Sequence, residues 1–186
     1  MKSIHTEINW TTFTHTLFND LPVNVAATER GLCLISMPDD THMNMKEWVV
    51  KKFVHANLVE DQNRLSPYVE QLQGYCEGKS KAFDIPLDLQ GTKFQISVWQ
   101  ALMTIPYGQI RSYLEIAKMI DHPKAIRAVG STNGANPIPI VIPCHRVIGK
   151  NGTLTGYSGG LKMKEKLLQL EGYDRYTVSG HPRFNF

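Results

Sequence analysis

Three prolines within residues 137–143 constrain this chain more than any other feature. In the run Asn136-Pro137-Ile138-Pro139-Ile140-Val141-Ile142-Pro143-Cys144-His145-Arg146, each proline fixes its own φ and drives the preceding residue out of the α region. No helix can carry such a segment, and a central strand would lose ladder donors at every proline. It reads instead as a stiff apolar strut that delivers Cys144 to a defined place. The secondary structure of the fold must therefore lie on either side of it.

Upstream of the strut are three helix starts. Thr92 with Gln95 forms a capping box, and Phe94, Val98 and Leu102 share one face before Pro106 and Gly108. Ser112 with Glu115 forms a second box, opening a helix through Ile120. Asp121 can cap a third helix with Pro123 in its first turn, running to about Thr132. The last two make a helix-turn-helix pattern. Ala125, Ala128, Gly130, Ser131 and Gly134 leave the third helix free of bulk, which suits close packing on another helix or close approach to another surface. Downstream lie Gly149, Gly152, Gly156, Gly159 and Gly160, then a helix from Leu161 to about Leu170 with Gly172 past its end. Residues 173–186 read as a loose tail.

The first half has a different character. Residues 22–28 and 31–36 read as a β-hairpin turning at Glu29-Arg30. Trp48, Val49, Phe53 and Val54 have helical spacing, as do Leu65, Tyr68, Leu72 and Tyr75, with Gly78 as a stop. Residues 82–87 form a candidate closing strand that Pro86 confines to an edge. Residues 87–91 are a linker. Residues 1–90 hold 8 basic and 12 acidic side chains, a net charge of −4; residues 91–186 hold 12 and 5, a net of +7. Such asymmetry fits a polyanion meeting the second half, or simply a solvated basic face. No apolar run approaches the roughly 18 residues of a membrane helix, and Met1–Trp10 has no signal-peptide core. Three cysteines make no disulfide framework, so the expectation is a cytoplasmic chain with reduced thiols. His5, His15, His42 and His55 show no metal-ligand spacing with Cys33 or Cys76.

Cys144 and His145 are the chemically suggestive pair. A thiol is strongly nucleophilic only as the thiolate, and a neighbouring imidazole is the usual proton acceptor. On an extended chain adjacent side chains point to opposite faces, so a turn or a bridging water is required. Glu171 is the candidate to orient the imidazole, although it ends a helix where the dipole disfavours an anion. A solvated Glu171 and an inert buried Cys144 are the plain alternatives.

IPCHRVIG (142–149) resembles the active-site signature of the O6-alkylguanine-DNA alkyltransferases, the methylated-DNA–protein-cysteine methyltransferases. Residues 91–117, 124–140 and 157–172 also resemble family blocks, in the family's order. The resemblance implies an α+β fold: an N-terminal ribonuclease-H-like α/β domain (1–89), then a mostly helical, winged-helix-like helix-turn-helix domain for DNA binding and alkyl transfer (90–173), then a tail (174–186). It implies direct-reversal DNA repair, in which the alkyl group of O6-alkylguanine, and of O4-alkylthymine, passes irreversibly to Cys144. His145 would deprotonate Cys144 through a water, Glu171 would orient His145, and Asn136 would tie the second helix of the pair to the active-site segment. Tyr113 would assist base rotation and protonate the leaving guanine. Arg127 would fill the place of the rotated nucleotide, with Ala128, Gly130 and Ser131 allowing the helix into the minor groove. Tyr157 and Ser158 would line the base pocket, and the carbonyls of Cys144 and Val147 would accept from the exocyclic amine.

Physics agrees with these roles. An alkyl carbon on guanine is unreachable inside a duplex, so the base must be flipped. The minor groove discriminates bases poorly, so phosphate contacts from Arg111, Lys118, Lys124, Arg127 and Lys150 would dominate and weaken with salt. The role of Arg146, DNA contact or loop tie, stays open at this stage. The expected partner is double-stranded DNA carrying alkylated bases, with no cofactor, no obligate protein partner and a monomeric chain. Some family members hold zinc in the first half; Cys33 and Cys76 lack paired ligands here, so no metal is expected. Non-catalytic relatives carry tryptophan at the cysteine position, where this chain has Cys144. A fused transcription-activating domain is not expected at this length. The competing readings are a non-catalytic helix-turn-helix module that binds alkylated DNA, and a cysteine hydrolase built on Cys144, His145 and Glu171.

Overall fold

The computed structural model describes residues 6–38 and 44–177. His5, His42 and residues 178–186 of the expected tail lie outside the described residues. The chain divides into two compact units, Met1–Gln90 and Gly91–Phe186.

The first unit is built on a four-stranded sheet of β1 (Thr6–Phe13), β2 (Val23–Thr28), β3 (Gly31–Ser36) and β4 (Ala56–Glu60), in the order β3-β2-β1-β4. The expected hairpin is β2–β3, antiparallel; β1 pairs antiparallel with β2 and parallel with β4. β1 escapes a reading by alternation because Asn9 and Thr11 are buried among its apolar residues. Helix α1 (Met45–Lys52) presents Met45 and Val49 to a core of Ile8, Ala26, Cys33, Leu34 and Phe53. Helix α2 (Gln62–Cys76) packs on β1 and β2 through Leu65, Leu72 and Tyr75. Pro67 cannot donate to the Asn63 carbonyl, and the Ser66 hydroxyl does so instead, at 2.9 Å.

Residues 82–87 do not form the expected strand. They make one bridge, in which Leu32 N–H donates to Pro86 O at 2.8 Å and Asp88 N–H donates to Leu32 O at 2.9 Å. Pro86 has no N–H with which to extend the ladder. The approach is possible only because residue 31 is glycine. Gly31 has φ +139°, and a Cβ there would lie 2.2 Å from Pro86 O. Gly31→Ala is expected to cost roughly 3 kcal/mol, read as a lower denaturation midpoint; an unchanged midpoint contradicts this account of the edge.

The second unit contains α3 (Lys93–Met103), β5 (Arg111–Ser112), α4 (Tyr113–Met119), α5 (Ile126–Gly134), β6 (Val147–Ile148) and α6 (Leu161–Leu170). Both expected capping boxes are present, at Thr92–Gln95 and Ser112–Glu115. Helices α3, α4 and α5 pack together through Val98, Leu102, Ile116 and Val129, and Trp99 Nε1–H donates to the Thr132 carbonyl at 3.2 Å.

Three expectations for this unit are corrected. Asp121 does not cap α5: it sits in the turn with φ +60°, and the helix begins later, behind Ala125, without a side-chain cap. The proline segment is not a straight strut. It folds back on itself, with Ile142 N–H donating to Ile138 O at 2.9 Å and Ile140 at φ +77°. Prolines fix only φ, and the residues between them remain free to turn. Residues 173–177 are not a loose tail: Thr177 pairs with Thr153, and Tyr173 and Tyr176 pack on Ile148, Leu154 and Leu168.

Candidate active site

The turn in the proline segment leads directly into a 3-10 helix, Cys144–Arg146. Successive side chains in a 3-10 helix diverge by about 120°, not by the half-turn of an extended chain. All three residues are buried, Cys144 being 1% and His145 0% exposed. Behind them runs α6, whose C-cap, Glu171, is buried with its carboxylate bonded to His145 and Arg146.

Glu171 collects four donors. His145 Nε2 lies 2.8 Å from Oε1, Arg146 Nε and Nη2 approach Oε1 at 3.1 and 2.9 Å, and Gly108 N–H donates to Oε2 at 3.0 Å. This is the environment of an ionised carboxylate, and it offsets the helix dipole that disfavours a negative charge there. An ionised carboxylate can only accept, so the proton of a neutral His145 sits on Nε2 and the lone pair on Nδ1. Burial holds the imidazole below its ordinary pKa, with Glu171 pulling the other way. His145 is therefore neutral and held in one orientation by Glu171.

Arg146 ties the loop down. Besides Glu171 it donates to the Ile105 carbonyl, and its guanidinium lies 5.8 Å from the Tyr107 ring centroid. Tyr107 in turn donates to the Leu170 carbonyl at 2.9 Å. This cluster locks the end of α6 to the α3–β5 connection.

Burial raises the Cys144 thiol to about 11, opposed by hydrogen bonding from Asn136 and by the charge of Lys164. The resting sulfur is thus a protonated thiol. Asn136 Nδ2 donates to Ile142 O at 2.8 Å while its Oδ1 accepts from Ile138 N–H at 3.0 Å, so one amide staples the fold of the proline segment just after α5. Tyr113 begins α4, is buried, accepts from the Thr155 hydroxyl at 3.0 Å, and is raised by burial to about 12. Its phenol is fully protonated at neutral pH and can donate.

Two residues of this site escaped the sequence reading. Lys164 is fully buried in α6, its Nζ donating to Val147 O at 2.6 Å and Thr155 O at 2.8 Å. Burial lowers it to about 8. Asn133 in α5 donates through Nδ2 to the Cys144 carbonyl at 3.3 Å. Neither has a sequence signature, because lysine on α6 and asparagine on α5 read as solvated positions. Only the spacing of Met163, Leu167 and Leu168 around Lys164 hints at its side of the helix.

Arg127, Ala128 and Ser131 share the exposed face of α5, whereas Gly130 is turned inward and buried. Lys118, Lys124 and Lys150 are exposed and Arg111 half-buried. Val147 and Tyr157 are buried and Ser158 half-buried. A Cβ at Gly159 would lie 3.1 Å from the Tyr157 ring, so a side chain there would crowd that ring. Among the described residues no three His, Cys, Asp or Glu side chains gather as metal ligands would, and no helix is long and apolar enough to cross a membrane.

Comparison with known proteins agrees with this geometry. Residues 22–89 match the family model described as 6-O-methylguanine DNA methyltransferase, ribonuclease-like domain, and residues 93–173 match the corresponding DNA binding domain. The inducible methylated-DNA–protein-cysteine methyltransferase of Bacillus subtilis is 48% identical over 155 residues, covering 83% of this chain and 87% of that one. Its counterpart from Methanosarcina acetivorans is 48% identical over 151 residues, covering 81% and 92%. The crystal structure of Mycobacterium tuberculosis OGT in complex with DNA superposes with a TM-score of 0.76 at 42% identity, covering 88% of this chain and 93% of that one. A buried Cys144–His145–Glu171 set behind a helix-turn-helix, with both family models matched in order, shows that this chain belongs to the 6-O-methylguanine DNA methyltransferase family and acts as a DNA-binding methyltransferase of direct-reversal repair.

Proposed function

We propose that the chain removes alkyl groups from O6-alkylguanine, and from O4-alkylthymine, by moving them irreversibly to its own Cys144. The observation that carries this reading is the buried Cys144 beside a neutral His145 whose orientation Glu171 fixes. The Cys144 S–H bond breaks and its proton passes to His145 Nδ1 through a water. The sulfur attacks the alkyl carbon, an S–C bond forms and the C–O bond breaks. Tyr113, which starts protonated, hands a proton to the departing guanine and recovers one from the site. Atoms balance without a cofactor, and the thioether product has no nucleophile to remove it, so each molecule reacts once.

DNA is met by α5. Its exposed face of Arg127, Ala128 and Ser131 enters the minor groove, and Arg127 takes the place of the rotated nucleotide. The cations Arg111, Lys118, Lys124 and Lys150 contact phosphates. Because Cys144 is 1% exposed, the side chains that cover it must give way before the base reaches it. Tyr157 and Ser158 then line the base. In this reading residues 1–89 are structural, residues 90–173 bind DNA and transfer the alkyl group, residues 174–186 form a tail, and the protein works as a cytoplasmic monomer without an obligate protein partner.

The role of Arg127 separates this mechanism from simple binding. Arg127→Ala is expected to slow transfer from duplex DNA by roughly tenfold or more, reflecting a few kcal/mol of unstacking no longer offset. Reaction with free benzylguanine, which needs no rotation, should change less than twofold. Equal losses on both substrates contradict the role. A progress curve that runs past one equivalent contradicts the single-use reading and favours a hydrolase.

A further inference from the structure

Asn133 carries a buried polar atom that the transfer chemistry described so far leaves unused. The residue is 2% exposed, and its Nδ2 donates to Cys144 O. A carbonyl demands the nitrogen end of the amide, which fixes Oδ1 on the other side. That Oδ1 is buried with no hydrogen-bond partner among the described residues. A buried acceptor left unpaired costs about 1–3 kcal/mol, and such atoms persist where a ligand uses them.

Its surroundings narrow the ligand. The resemblance assigns the exocyclic amine of the flipped guanine to the carbonyls of Cys144 and Val147. Each already accepts one hydrogen bond, Cys144 O from Asn133 itself and Val147 O from the Lys164 ammonium at 2.6 Å, which leaves one lone pair apiece for the two-hydrogen amine. The unpaired acceptor belongs to the same amide that holds Cys144 O. The amide of Asn136 is spent at both ends, on Ile142 O and Ile138 N–H, and hydrogen-bonds the thiol, so it does not compete for the base.

We propose that Asn133 is a specificity residue of the base pocket, its Oδ1 accepting a hydrogen bond from the exocyclic amine of the alkylated guanine while its Nδ2 holds the Cys144 carbonyl. This rests on the alkyl-transfer reading above. One side chain of the DNA-facing helix α5 would then touch the main chain of the nucleophile at one end and the base at the other. The pocket would recognise guanine through α5 and disfavour a purine that lacks the 2-amino group.

The test compares two free substrates, O6-benzylguanine and O6-benzylhypoxanthine, which differ only in that amino group. Single-turnover rates are measured on the full chain and on Asn133→Leu, an apolar replacement of similar size. Both rates should fall as the tie to Cys144 O is lost, and the guanine substrate should fall about tenfold further, the cost of one more hydrogen bond with its buried partner left unpaired. A merely structural asparagine would lower both rates alike and leave their ratio unchanged. Asn133→Ser, too short to reach the base, should repeat the pattern and keeps the test open if the leucine variant does not fold. Equal losses on both substrates, or none on either, overturn the proposal. Failure of wild type to transfer from either substrate overturns the alkyl-transfer reading instead.

Discussion

Cys144→Ala is expected to yield no alkylated protein at all while DNA binding is retained. The only other thiols, Cys33 and Cys76, are buried in the first unit, which does not contain the His145–Glu171 pair, so neither can substitute as acceptor. Arg127, Ala128 and Ser131, the residues proposed to meet DNA, lie on the exposed side of α5 and do not depend on the sulfur. Cys144→Ser makes the same point by chemistry. Its hydroxyl is a far weaker nucleophile, and transfer should fall by more than about a thousandfold. Measurable transfer in the alanine variant, or loss of DNA binding with it, would refute the assignment of the acceptor.

Glu171→Gln is expected to fail in two separable ways. The wild-type carboxylate serves two buried cation-forming groups, His145 and Arg146, as well as Gly108 N–H. Its neutral amide leaves the Arg146 guanidinium buried without an anion, which costs roughly 3–5 kcal/mol of stability. The second effect is on proton transfer. Without the carboxylate an imidazolium at His145 is less favourable, so His145 becomes a weaker base and the thiol ionises at higher pH. Measured well below the melting temperature, the rate at neutral pH should drop about a hundredfold. The difference should narrow as pH rises towards the thiol's value of about 11, where hydroxide removes the proton without help. A pH–rate profile superimposable on wild type would show that Glu171 only braces the fold.

The parts of this protein that were legible in the sequence are those governed by local rules. The capping boxes at Thr92 and Ser112, the β2–β3 hairpin and the span of α6 follow from near neighbours. The cluster of Cys144, His145 and Glu171 could be named because Cys144 and His145 are adjacent and Glu171 breaks the dipole rule at a helix end. What stayed hidden depends on distant partners. The β1 strand buries Asn9 and Thr11, which its pattern assigns to solvent. Asp121 resembles a cap but occupies a left-handed turn. Lys164 and Asn133 acquire their roles only when the folded proline segment brings the carbonyls of Cys144 and Val147 to them. That segment's turn, with Ile140 at φ +77°, is itself invisible to rules that read proline as extended.

Intact-mass measurement after incubation with an oligonucleotide duplex containing one O6-methylguanine tests the central claim most directly. The account predicts a single added methyl group per protein molecule, located on the peptide that contains Cys144, no further increase with excess substrate, and unmodified guanine in the recovered DNA. An unchanged protein mass beside bound, still-methylated DNA would contradict it and leave a module that recognises the lesion without repairing it.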